Sequence, residues 1–92
     1  MNELVIKILK EIVAVDYLGR PEKPKGPISI YAIKTRLNCP SSELYVVLKR
    51  MHLNGLLNAT DLREFCEIGS VTATDEGVRR LSKVIELENP IT

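Results

Sequence analysis

Apolar residues crowd the start of the chain. Leu4, Val5, Ile8, Leu9, Ile12, Val13 and Val15 leave only a narrow charged stripe of Glu3, Lys7, Lys10 and Glu11. This spacing predicts a helix over Asn2–Leu18 that is apolar around most of its circumference. One small domain cannot cover so much apolar surface. The pattern therefore predicts a homodimer joined mainly by this helix, with the last helix contributing. Gly19 to Pro27 reads GRPEKPKGP, with a proline at every third position. Proline fixes φ and lacks a backbone donor, so regular helix and central strand are excluded and a stiff surface loop with three cations is expected.

The pattern then becomes regular. Ile28 can make a single strand-like contact, and Ser29 suits a helix N-cap. Ile30, Ile33 and Leu37 repeat at helical spacing, which predicts a short helix from Ser29 or Ile30 to Leu37. Asn38 can take the left-handed conformation that ends a helix, and Pro40 prevents continuation. Ser41 or Ser42 is the expected cap of the next helix, which runs to about Asn54 and closes at Gly55. Leu44, Leu48 and Met51 mark its core side, with Ser42, Tyr45, Lys49 and His52 opposite. Leu56–Thr60 reads as a strand, DLREFCE as a polar connection, and IGSVTA as the second strand of a hairpin. Thr74 is a good N-cap, and Asp75 and Glu76 suit the positive end of a helix. Val78, Leu81, Val84 and Ile85 give that helix its apolar face, to about Glu88. The expected fold is mostly α with a small β-hairpin (α+β), in one domain spanning residues 1–92.

Composition sharpens this picture. A chain of 92 residues makes one domain, and with 45% hydrophobic but only 4% aromatic residues its core must be built from Leu, Ile and Val. No apolar run approaches the roughly 18 residues of a membrane span, and no signal-peptide pattern opens the chain. A cytoplasmic protein that does not engage membranes is expected. Glutamine is absent while Ile, Val, Lys and Glu are abundant, which matches thermophile usage.

The formal net charge is only +1, but it is segregated. Between Arg20 and Arg50 lie seven basic residues and two acidic ones, a net +5, while the rest of the chain carries −4. Such asymmetry predicts a basic surface on a nearly neutral molecule.

Signatures of catalysis and metal binding are lacking. There is one histidine, His52, and no Cys-x-x-Cys, His-Glu-x-x-His or glycine-rich phosphate loop. Cys39, Cys66 and His52 lack the spacing of a zinc site. Ser41 and Ser42 have no base partner and read as caps, not nucleophiles. Neither an enzyme nor a bound metal or cofactor is expected. Two cysteines are too few for a disulfide scaffold; Cys39 is expected buried, Cys66 more exposed, with no bridge between them.

Leu44 to Leu57, LYVVLKRMHLNGLL, resembles the recognition-helix pattern of MarR, PadR and ArsR regulators: apolar positions four, seven and eleven residues before a Gly that two apolar residues follow. TDEG, Thr74 to Gly77, resembles the Thr-Glu-x-Gly that opens the helix after the wing in MarR and PadR proteins. The resemblance covers about residues 28–87. It implies a winged helix-turn-helix: residues 1–18 a dimerisation helix, 29–54 the helix-turn-helix, 55–73 the wing and 74–88 the C-terminal helix. Two departures stand out. Pro40 precedes Ser41, where the family has Ser or Thr before Pro. The wing carries Asp61, Glu64 and Glu67 against the single cation Arg63, so its contact with phosphates is reduced to Arg63.

On this reading the protein is a sequence-specific transcriptional regulator that binds double-stranded DNA as a homodimer. Two recognition helices would enter the major groove roughly 34 Å apart. Ser41 and Ser42 are expected at phosphates, Tyr45 and Val46 at base edges or thymine methyls, Lys49 at a base or phosphate and Arg50 at a phosphate. Lys34 and Arg36 would add backbone contacts, with Lys23 or Lys25 from the proline-rich segment. The competing expectation is a protein-interaction module of the same fold, favoured by the acidic wing and the outward Tyr45 and Val46. No polar cluster marks an effector pocket.

Overall fold

The computed structural model describes residues 2–63 and 68–88; expectations for Glu64, Cys66 and Glu67 lie outside them. Among these residues the fold is mixed α and β, with four helices and two small antiparallel sheets.

Helix α1 covers Glu3–Ile12. Asn2 caps it, its side chain accepting the Leu4 N–H at 2.7 Å. Val5, Ile8, Leu9 and Ile12 are buried, and Leu4 and Ile6 pack partly buried on the same core. The helix does not reach Leu18. Val13 donates its N–H to Leu9 and turns extended, and Val13–Val15 form strand β1. Its antiparallel partner is β2, Pro21–Pro24, from the segment expected to be a loop.

Both corrections have one cause. Val13 and Val15 are β-branched and lie opposite Pro24 and Pro21, so one face of the ribbon gathers four apolar side chains. The prolines are tolerated because a two-stranded ribbon has no central strand. The ladder uses other groups: Lys25 donates to the Ile12 carbonyl at 3.0 Å and Asp16 to that of Arg20 at 2.9 Å. A bulge between Ala14 and Val15 skips Glu22 and brings Pro21 into line with Pro24.

Strand β3 is only Ile28–Ser29. Ser29 also caps α2 (Ile30–Leu37), accepting the Ala32 N–H at 3.0 Å. Asn38 ends α2 in the left-handed conformation, φ 50° and ψ 50°. Helix α3 then runs Ser41–Leu53. Neither serine caps it. Pro40 holds the N-cap position without a side-chain bond, because φ −60° and ψ 145° are what the ring and the cap both require. Ser41 is thereby the first helical residue. Gly55, at φ +75°, turns the chain into β4, Leu57–Thr60.

Strand β5, Ser70–Ala73, pairs with β4 on one side and β3 on the other, giving the order β3-β5-β4. Helix α4, Asp75–Glu88, follows at once. Thr74 joins its start to the end of α3: the hydroxyl donates to the Gly55 carbonyl and accepts the Gly77 N–H at 3.1 Å. The Thr74 amide donates to the Leu56 carbonyl at 3.2 Å.

The core is entirely apolar among the described residues, and its largest fully buried side chains include Ile8, Leu9, Ile12, Ile33, Leu48, Met51 and Leu81. One chain therefore buries Val5, Ile8, Leu9 and Ile12 of α1 by itself and leaves Leu4 and Ile6 partly covered. The surplus apolar surface lies elsewhere, at the end of the β1–β2 hairpin, where Val15, Tyr17 and Leu18 are exposed. No described helix is long and apolar enough to cross a membrane.

Candidate nucleic-acid interface

Helix α3 divides cleanly. Leu44, Val47, Leu48 and Met51 are buried. Val47 was not part of the expected core side, although it falls one residue before Leu48 on the same inward arc. Turned to solvent are Ser42, Val46, Lys49 and Arg50, with Tyr45 half-buried. These side chains follow one another at three- and four-residue spacing, so they share one surface about two turns long. Ser41 is half-buried at the start of the helix.

The cations differ in their freedom. The Lys49 ammonium lies 5.8 Å from the centre of the Tyr45 ring, a cation–π contact on the exposed face. Such a contact contributes about 0.5–1 kcal/mol at an exposed site. A good base contact discriminates by about 1–3 kcal/mol, so a favourable ligand can draw Lys49 off the ring. Arg50 is exposed on the same helix. Arg36 is engaged: its guanidinium pairs with Glu11 of α1 at 3.1 Å, which aims it at α1 and offsets its charge. Lys34 is half-buried on α2. Arg63 is exposed beyond β4, after the turn where Asp61 has φ 56°. Lys23 lies exposed on β2 and Lys25, just past it, is half-buried; they belong to the hairpin and not to the α2–α3 unit.

Two further groups are placed. The exposed His52 ring donates from Nδ1 to the Leu57 carbonyl, 3.2 Å away, tying the end of α3 to β4. Cys39 is buried in the turn between α2 and α3; burial, with Glu43 beside it, pushes its thiol pKa up and so disfavours the reactive thiolate.

Sequence reasoning passed over Tyr31 and Leu53. Both are strongly exposed, on α2 and at the end of α3. Tyr31 follows the buried Ile30, so the helical period itself points it outward.

No group of three or more His, Cys, Asp or Glu that could hold a metal ion is found among the described residues. The chain matches no protein-family model, no curated protein and no solved structure.

Proposed function

We propose that this protein is a winged helix-turn-helix regulator of transcription, with α2, the Asn38–Pro40 turn and α3 as the helix-turn-helix and the β4–β5 hairpin as the wing. It acts in the cytoplasm, as a homodimer on double-stranded DNA, and performs no catalysis. One observation carries the reading: α3 buries one arc completely and turns a continuous face of Ser42, Tyr45, Val46, Lys49 and Arg50 outward. Hydroxyl, aromatic, apolar and cationic groups on one exposed helix suit a major groove, where phosphates flank base edges and thymine methyls. Lys34, Arg36, Lys49 and Arg50 on α2 and α3, against Glu43 alone, supply the sequence-independent attraction. Arg36 is held by Glu11 in an exposed pair worth about 0–1 kcal/mol, so a phosphate can compete for it, and Lys49 and Arg50 present their charges on the outward face itself.

A second reading has its own support. Val46 is 52% exposed and Leu53 74% exposed, which suits docking of another protein on this helix.

Selection from random-sequence duplex, followed by affinity measurement at two salt concentrations, separates the two. Lys49→Ala is expected to weaken the selected site by about 1–3 kcal/mol and to relax its specificity. Arg50→Ala is expected to weaken all sequences alike and to reduce the salt slope by about one. Selected DNA bound no more tightly than random DNA, with both variants unchanged, refutes DNA readout.

A further inference from the structure

We infer that His52 is a further specificity-determining residue of α3: its second ring nitrogen, Nε2, accepts a hydrogen bond from the exocyclic amine of an adenine or cytosine in the major groove. The inference deepens the regulator reading and rests on it.

The sheet sets the tautomer of the ring. Strand β4 is an outer strand of the β3-β5-β4 sheet. Across its ladder to β5, the Thr74 amide donates to the Leu56 carbonyl at 3.2 Å. Successive residues of a strand turn their backbone groups to opposite sides, so those of Leu57 face away from β5. Leu57 is fully buried, and a buried carbonyl without a donor is costly. His52 supplies the donor, its Nδ1 lying 3.2 Å from that carbonyl. A carbonyl only accepts, so Nδ1 carries the proton. In the neutral ring Nε2 is then an acceptor.

The helix sets where this acceptor stands. His52 follows Lys49 by three residues and Tyr45 by seven, so the three share one side of α3. His52 and Lys49 are both exposed. At the helical rise, His52 lies about 4.5 Å beyond Lys49 along the axis. One base-pair step is roughly 3.4 Å, so His52 addresses the base pair next to the one that Lys49 meets.

An acceptor selects its base. Adenine and cytosine present amine donors in the major groove, whereas guanine and thymine present acceptors and a methyl group. Nε2 pairs with the first two and is repelled by the others. Lys49 and Arg50 only donate, so His52 adds a preference that neither can give. The bond to Leu57 already fixes the ring, and little rotamer freedom is lost when the base is met.

The test is selection from random-sequence duplex with the full chain, at mildly alkaline pH where an imidazole is neutral. The position that Lys49→Ala relaxes marks the base pair of Lys49. Beside it the wild type is expected to prefer adenine or cytosine by about two- to tenfold, the net worth of one hydrogen bond. His52→Asn puts its amide nitrogen where Nδ1 stood, so it keeps the donor to Leu57 and deletes Nε2. It is expected to keep the melting temperature and the affinity for random duplex, and to lose the preference at that one position. Deleting the amine from the base, with purine in place of adenine or 2-pyrimidinone in place of cytosine, is expected to cost the wild type the same factor and His52→Asn nothing. A wild type that prefers guanine or thymine there, or that binds the amine-free site undiminished, overturns the inference. So does a preference that survives His52→Asn. A wild type that selects no sequence at all removes the regulator reading and this inference with it; a selected site indifferent to His52 removes this inference alone.

Discussion

Gly77 sits in the first turn of α4, where helix propensity alone says that alanine stabilises by about 1 kcal/mol. The structure reverses the sign. A Cβ at position 77 overlaps the Leu56 carbonyl oxygen, and stands 3.3 Å from its carbon and 3.4 Å from Leu9 Cδ2. The obstacle is backbone, and that carbonyl already accepts the Thr74 amide, so it cannot move without weakening a bond worth about 0.5–1.5 kcal/mol. Forcing an extra methyl into packed surroundings costs about 1–3 kcal/mol. Less the propensity gain and plus the weakened bond, Gly77→Ala should be destabilising by about 0.5–3.5 kcal/mol. At about 4–8 °C per kcal/mol for a domain of this size, the melting temperature should drop by roughly 2–28 °C. Thermal melts followed by circular dichroism read this directly. Gly26→Ala is the control: nothing lies within 4 Å of its Cβ, and the change should be close to neutral. A Gly77→Ala protein that melts at or above wild type refutes the close approach of α4 to Leu56.

Thr74→Val keeps the shape of the side chain but removes the hydroxyl that links Gly55 to Gly77; a loss of about 1–2 kcal/mol is expected in urea unfolding, and an unchanged midpoint contradicts the link. The Arg20 amide, helped by the Leu18 amide and the Arg20 guanidinium and opposed by desolvation, holds the Asp16 carboxyl below its ordinary pKa. A depressed carboxylate stabilises the fold above its ordinary pKa, and that contribution disappears as the pH falls through the lowered value. The hairpin turn should therefore loosen only under strongly acid conditions. Amide shifts of Leu18 and Arg20 that move at the ordinary carboxylate pH or above would contradict it.

Most of the path from Ile28 to Glu88 was legible because its punctuation is local. Ser29, Asn38, Gly55 and Thr74 each act through their own backbone or a bond within a few residues, so a linear sequence carries the signal. The end of α1 was not legible in the same way. Val13 and Val15 fit an apolar helix as well as a strand, and what decides is their pairing with Pro24 and Pro21, residues whose own pattern argued for a loop. The cap of α3 was displaced because the serines drew attention to side chains, whereas the ring of Pro40 sets the backbone without one. At the candidate interface, exposure of Val46, Lys49 and Arg50 followed from the helical period. The capture of Arg36 by Glu11 joins two helices distant in sequence, and no local pattern announces it.

The two-residue strand β3 has a kinetic consequence. By pairing Ile28 with Val71 it closes a circuit that contains α2, α3 and β4. The β1–β2 ribbon and the β4–β5 hairpin join near neighbours in the chain, and each can form early at little entropic cost. The β3–β5 contact joins residues much further apart in the chain, so it is expected to form after them. It is also short, and strands so short open more readily than the core does. The start of α2, capped by the same Ser29 that pairs with Ser70, is thus where the helical pair behind the candidate interface should first loosen in the native state.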